Sequence, residues 1–183
     1  MALRIYGNRQ LKTLPGQNTR PTPSRVREAV FNIWQDITGC RWLDLCAGSG
    51  SMGAEALCRG AAIAVAIEQS GPACQIIKQN WQQVATPEQQ FRVLRGDVVK
   101  RLKSLAAEEF DRIYFDPPYT ANLYEPVLEA IAKYSLLAAG GELIAEHDPK
   151  REMVEVSGLA IVRQKVYGGC AIAFYQSLNS PVP

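Results

Sequence analysis

Residues 42–58 constrain the fold more than any other stretch. Trp42-Leu43-Asp44-Leu45-Cys46 is a short, mostly apolar run, the pattern of a buried strand. Ala47-Gly48-Ser49-Gly50-Ser51-Met52-Gly53 is a tight turn, and Ala54 to Cys58 continues as a helix stopped by Arg59-Gly60. A strand that feeds directly into a helix calls for a parallel partner, because the helix carries the chain back to the edge from which the next strand starts. The pattern then repeats. Strands are predicted at 62–67 (ending at Glu68), 91–95 (closed by Gly96-Asp97), 111–115 and 142–146. Between them lie a helix with Pro72 near its start and Ala73, Ile76, Ile77, Trp81 and Val84 on one face, a helix over about 98–108, and a helix over 124–138 broken by Gly140-Gly141. Two final strand patterns, 160–167 and 170–175, are separated only by Gly168-Gly169 and predict an antiparallel hairpin. The expected fold is α/β: a doubly wound, mostly parallel, Rossmann-like sheet of seven strands with a C-terminal antiparallel hairpin.

The first 21 residues show no sustained period and read as an extended arm with a short hairpin. After Arg20-Pro21, Thr22 has the character of an N-cap and Pro23 of a first helical residue. Val26, Ala29, Val30, Ile33, Trp34 and Ile37 then recur at helical spacing, and Gly39 ends the helix. Two parts follow: a basic arm and helix over 1–38, and the α/β domain over 39–183. Residues 1–27 hold Arg4, Arg9, Lys12, Arg20, Arg25 and Arg27 and no acid, whereas the remainder holds 14 basic and 18 acidic residues. A basic arm on a mildly acidic body suits an anionic partner, nucleic acid first. No apolar run is long enough to span a bilayer and the start lacks a signal-peptide core, so a cytoplasmic protein with no membrane partner is expected. Five cysteines without a C-x-x-C and a single histidine, His147, argue against a disulfide framework and against a metal site.

The chemistry gathers at the carboxyl ends of the predicted strands, where ligands bind in such sheets. Gly48-x-Gly50-x-x-Gly53 is formally a dinucleotide fingerprint, and Glu68 stands where an acid takes both ribose hydroxyls. Asp44 sits inside the first strand's end. A pyrophosphate would be repelled there, whereas a cation such as the sulfonium of S-adenosylmethionine would be favoured. Asp97 either accepts from an adenine amino group or caps the following helix. Asp116-Pro117-Pro118-Tyr119 ends the fourth strand as a stiff corner, since neither proline donates to a ladder. It offers a carboxylate, free carbonyls and an aromatic ring, enough to hold a planar amine and stack on the base that bears it. His147 beside Glu146 reads as a strand-end histidine in preference to a general base, and Tyr124 as helix packing.

Taken together these residues resemble the class I S-adenosylmethionine-dependent methyltransferases, and within them the RsmD-type enzymes that methylate guanine N2 in small-subunit (16S) ribosomal RNA. The resemblance rests on Arg4-Ile5 with Gly7, Arg20-Pro21-Thr22, Arg25 to Asn32, Asp44 to Gly50, Glu68, Gly96-Asp97 and Phe115 to Tyr119. Cys46 stands where the family usually has Phe, and Ser24 where an Asp is common. The resemblance implies that Asp44, Gly48 and Gly50 lie against the methionine part of the cofactor, Glu68 on its ribose, and Asp97 with Val98 at its adenine. Ala47, Gln69 and Asp116 complete the cofactor site. Asp116, Pro117, Pro118 and Tyr119 are the implied catalytic residues, and Arg4, Arg9, Lys12, Arg20, Arg25 and Arg27 the implied RNA contacts. The partner is then ribosomal RNA, within the small subunit, and a monomer is the default. Other readings remain open on the residues alone: adenine N6 in DNA or a protein side-chain amide as acceptor, an NAD-dependent dehydrogenase, or a non-catalytic RNA-binding module.

Overall fold

The computed structural model describes residues 3–14 and 24–178. A small antiparallel ribbon, β1 (Leu3–Ile5) and β2 (Arg9–Leu11), precedes helix α1 (Ser24–Trp34). The predicted N-cap Thr22 and first-turn Pro23 lie outside the described residues, as does Arg20. The body then alternates as expected: β3 (Arg41–Leu45), α2 (Ser51–Cys58), β4 (Ile63–Glu68), α3 (Gly71–Val84), β5 (Gln90–Arg95), α4 (Val98–Leu102), β6 (Phe110–Phe115), α5 (Tyr124–Lys133) and β7 (Leu137–His147). The hairpin β8 (Leu159–Tyr167) and β9 (Cys170–Ser177) closes it. The seven-stranded sheet has the order β5-β4-β3-β6-β7-β9-β8, with β3 to β7 parallel and β9 antiparallel to both neighbours. No helix among the described residues is long and apolar enough to cross a membrane.

Two apolar layers sandwich the sheet. One face carries the ribbon, α1, α2 and α3, with Ile5, Leu11, Val30, Trp42 and Trp81 in a single core; the other carries α4 and α5 around Leu43, Leu102, Phe115 and Ile131. The N-terminal elements therefore share the core of the α/β domain and do not form a separate body. Trp42 is central to their attachment, stacked on Phe31 at 5.4 Å and met edge-on by Trp34 at 5.4 Å.

Four local boundaries differ from the sequence expectation, the first being the predicted 124–138 helix, which ends at Lys133 with β7 starting at Leu137. α1 stops at Trp34, and Gln35 takes a left-handed φ of 41°. Ile37 nevertheless reaches the core, so its fit to the helical period reflects burial and not helix. The predicted 98–108 helix is α4 followed by a 3-10 turn over Lys103–Leu105. Gly140-Gly141 does not break the chain before a strand but lies inside β7. The register against β6 shifts there between Phe110 and Arg112, Gly140 has φ +73°, and Gly141 packs against the carbonyls of Ala138 and Phe110. The pair lies in this irregular stretch, where β7 carries three more residues than β6, and a Cβ on Gly141 would meet those carbonyls.

Candidate active site

The strand order reverses between β3 and β6, which places the ends of both strands at the sheet's switch point. A cavity of about 610 Å³ opens there. Its wall includes Ala47, Gly48, Glu68, Gln69, Asp97 and Val98 on one side. Asp116, Pro117, Pro118, Tyr119, Glu146 and Cys170 form another part of the wall. Apart from Asp44 and Gly50, the cofactor and corner residues named from sequence thus line one space.

The turn after β3 is built from strained backbone. Cys46 (φ 60°) and Gly48 (φ 57°) both occupy the left-handed region, and the amides of Cys46 and Ala47 donate to the Ile67 carbonyl at 3.0 and 3.3 Å. A Cβ on Gly48 would meet nothing within 4 Å, so this glycine leaves open space at the cavity. Gly50 and Gly53 serve a different purpose. A Cβ on either would collide with Trp81 of α3, whose indole N–H donates to the Gly50 carbonyl at 2.7 Å. Two of the three fingerprint glycines are therefore required by α2–α3 packing, and Gly50 is not part of the cavity wall. Glu68 accepts from Gly48 N at 2.9 Å and from Ser70 N at 2.8 Å, which fixes its carboxylate at the rim. Asp97 caps α4 by accepting from Lys100 N at 2.9 Å and also lines the cavity.

Asp44 lies behind the turn. It is only 2% exposed and accepts from Gly53 N at 3.1 Å. Burial pushes its carboxyl up to about 8, against the lowering effect of the Gly53 hydrogen bond. The linkage follows in sign. Between the ordinary carboxylate pKa and about 8, the folded state holds a proton that the unfolded chain has released, so this group makes stability fall as pH rises through that window. Asp44→Asn is expected to flatten that part of the pH–stability profile, read by denaturant titration from pH 4 to about 8.

At the corner, Asp116 N donates to the Leu45 carbonyl at 3.3 Å, tying it to the adjacent strand. The half-buried Tyr119 donates its hydroxyl to Glu146 Oε1 at 3.0 Å, and the buried Tyr114 donates to Glu146 Oε2 at 2.6 Å. Burial and the Glu146 charge both hold these phenols above their usual range, which keeps them protonated donors. Tyr124 is packing, as expected: it is buried, edge-on to Phe115, and bonded to the Glu146 carbonyl at 3.0 Å. His147 is buried with Nδ1 at 2.8 Å from the Asp148 carbonyl, its charged form disfavoured by burial, and it does not line the cavity.

The family model described as conserved hypothetical protein 95 matches residues 3–176. The chain belongs to this family, that of the RsmD-type methyltransferases. It is 36% identical over 172 residues to YlbH of Bacillus subtilis, provisionally named an rRNA methyltransferase, covering 92% of this chain and 93% of that one. It is 27% identical over 175 residues to the ribosomal RNA small subunit methyltransferase D of Haemophilus influenzae, covering 94% and 91% of the two chains. The solved structure of yhhF from Escherichia coli, provisionally named a methyltransferase, superposes with a TM-score of 0.81 at 28% identity, covering 97% and 98%.

In this RsmD-type chain the basic arm is docked. Arg9 donates to Cys58 Sγ at 3.3 Å and to the Val84 carbonyl at 3.1 Å. Lys12 Nζ donates to Gln79 at 3.0 Å, and Arg4 to Asn8 at 2.6 Å. Arg4, Arg9, Lys12 and Arg25 remain exposed. Arg27 is a correction to the sequence reading: it is 2% exposed, paired to Glu55 at 2.6 Å, and donates to the Arg4 carbonyl at 2.6 Å. An arginine enclosed in this way has no surface to offer a phosphate. Sequence reasoning also missed Asn80. Fully buried on α3, it exchanges hydrogen bonds with the Lys12 backbone (2.9 and 3.0 Å) and donates to the Ser49 carbonyl at 2.9 Å, joining the arm to the glycine turn. Its signal was absent because a lone Asn on a helix face reads as surface.

Proposed function

We propose that the chain transfers a methyl group from S-adenosylmethionine to the exocyclic N2 amine of a guanine in small-subunit ribosomal RNA, acting in the cytoplasm as a monomer. The observation that carries this reading is the facing of the Asp116 corner and the glycine turn across one cavity. The names of the relatives as ribosomal RNA methyltransferases support the acceptor. The wall also fits the cofactor class. It carries Glu68, Asp97, Asp116 and Glu146, and no lysine or arginine among the described residues. A cationic sulfonium is favoured there, whereas a dinucleotide pyrophosphate would face carboxylates without a counter-charge.

When bound, the cofactor supplies an electrophilic methyl carbon on a good leaving group. In this reading Ala47 and Gly48, with Asp44 behind them, hold its methionine end. Glu68 and Gln69 hold the ribose, and Asp97 with Val98 the adenine edge. Asp116 and the Pro117 carbonyl accept the two N–H bonds of the guanine amine. That draws the nitrogen toward tetrahedral geometry and aims its lone pair across the cavity, so catalysis is positioning and electrostatics. Tyr119 supplies the stacking face for a base out of its stack. The departing proton passes to water.

Residues 1–38 act as an RNA-contacting extension of the 39–183 methyltransferase domain, through Arg4, Arg9, Lys12, Arg20 and Arg25. If all five meet phosphates of single-stranded RNA, log K falls with log salt at a slope of about −3.5, readable by filter binding. A slope near zero would remove the arm from the interface. The acceptor is tested with labelled S-adenosylmethionine offered to small ribosomal subunits lacking the modification, naked ribosomal RNA and DNA. Label is expected in subunits or RNA; label confined to DNA or to protein would overturn the reading.

A further inference from the structure

Glu146 is a second carboxylate at the corner that the mechanism above leaves unused. The last β6–β7 ladder pair is Phe115 with Ala145, so Asp116 and Glu146 are the residues that follow directly on two adjacent parallel strands, whose paired backbones run about 4.8 Å apart. They share a face, since Glu146 reaches the hydroxyl of Tyr114, two residues before Asp116. Both line the cavity, although Glu146 is only 4% exposed. Two neighbouring carboxylates repel, and burying one is costly unless donors satisfy it. Tyr114 and Tyr119 each give it one hydrogen bond, one to each oxygen. The Cys170 thiol also bears on it, and since a carboxylate accepts about four hydrogen bonds in all, it keeps capacity for a ligand.

The chemistry that suits two adjacent acceptors is a base edge with adjacent donors. Guanine has one, its N1–H beside its N2 amine. Adenine and 2-aminopurine present a lone pair at N1 in its place. Resting on the guanine N2 reading, we infer that Glu146 accepts the N1–H of the target base while Asp116 accepts from the amine, which makes Glu146 the residue that selects guanine. A base with an N1 lone pair would set that pair against a buried carboxylate, a penalty that discriminates more strongly than a lost contact. The two phenols hold Glu146 in place for this reading, and Glu146 in turn fixes the ring of Tyr119.

The test uses RNA in which the methylated guanine is replaced by 2-aminopurine, which keeps the amine that takes the methyl group and removes N1–H together with O6, so the Glu146→Gln ratio is what isolates N1. Wild-type protein is expected to prefer guanine by about ten- to a hundredfold in kcat/KM. Glu146→Gln can turn an amide N–H toward an N1 lone pair and is expected to bring the ratio near one. Tyr119→Phe keeps the carboxylate, so it should lose activity on both bases while preserving the wild-type ratio. Thermal unfolding checks that each variant is folded. A wild-type ratio near one, or a ratio unchanged in folded Glu146→Gln, would overturn the role of Glu146 and leave the methylation reading standing. Failure of wild-type protein to methylate guanine N2 in any acceptor would overturn the underlying reading itself.

Discussion

Asp116→Ala is expected to lower kcat by about 10²–10³ while leaving S-adenosylmethionine binding and the folding temperature nearly unchanged. The size follows from what the proposed mechanism asks of the carboxylate. The amine of guanine is a weak nucleophile because its lone pair is delocalised into the ring. An acceptor fixed at the end of β6 and tied to β3 through the Leu45 carbonyl needs no reorganisation when the nitrogen becomes tetrahedral. The corner's shape comes from Pro117 and Pro118, which the substitution leaves alone. Single-turnover kinetics with saturating cofactor separates the chemical step from binding. An unchanged rate would mean that the corner is structural, and a lost cofactor affinity would move Asp116 wholly to the cofactor site.

Glu55→Ala is expected to produce the largest loss of stability, about 3–5 kcal/mol, or roughly 6–20 °C in Tm. Glu55 is 2% exposed and holds two arginines: Arg27 of α1 at 2.6 Å and Arg59 at 2.9 Å. Removing it strands the Arg27 guanidinium in the core, left among the described residues with the Arg4 carbonyl as its acceptor and facing a cavity. Arg59 would keep its stacking over Tyr6 and Phe31, at 4.5 and 4.9 Å, and its exposure softens its share of the loss. The pair Arg27→Met with Glu55→Leu should regain most of the stability, because two buried charges are then removed together. A double-mutant cycle by denaturant unfolding gives the coupling. Loss well below about 1 kcal/mol in Glu55→Ala would show that the pair adds nothing net.

The sheet and its order of elements were legible because strand and helix periods in 42–147 are clean and most strands end at or just before a glycine or an acid. The carboxylates at those ends were legible for the same reason, since the fold class fixes where strand ends gather. What could not be read were contacts made between distant segments. Gly50 and Gly53 match a ligand-binding fingerprint, yet they answer to the indole of Trp81, 31 positions after Gly50 in the chain. Arg27 looked like one more cation in a basic arm, because its partner Glu55 lies on another helix. Glu146 was an ordinary strand-end acid until two tyrosine hydroxyls were seen to converge on it. Ile37 matched the helical period but is buried beyond the helix end. In each case the local pattern was silent about the partner, and for Arg27 it also missed the burial.

Nucleoside mass spectrometry bears most directly on the central claim. Small subunits lacking the modification would be incubated with the protein and isotopically labelled S-adenosylmethionine, and their ribosomal RNA digested and resolved. The expected product is labelled N2-methylguanosine, formed by wild-type protein and missing with Asp116→Ala. Label on adenine N6 or on any other atom, or N2-methylguanosine that persists undiminished in Asp116→Ala, would contradict the assignment of the corner as a guanine amine site.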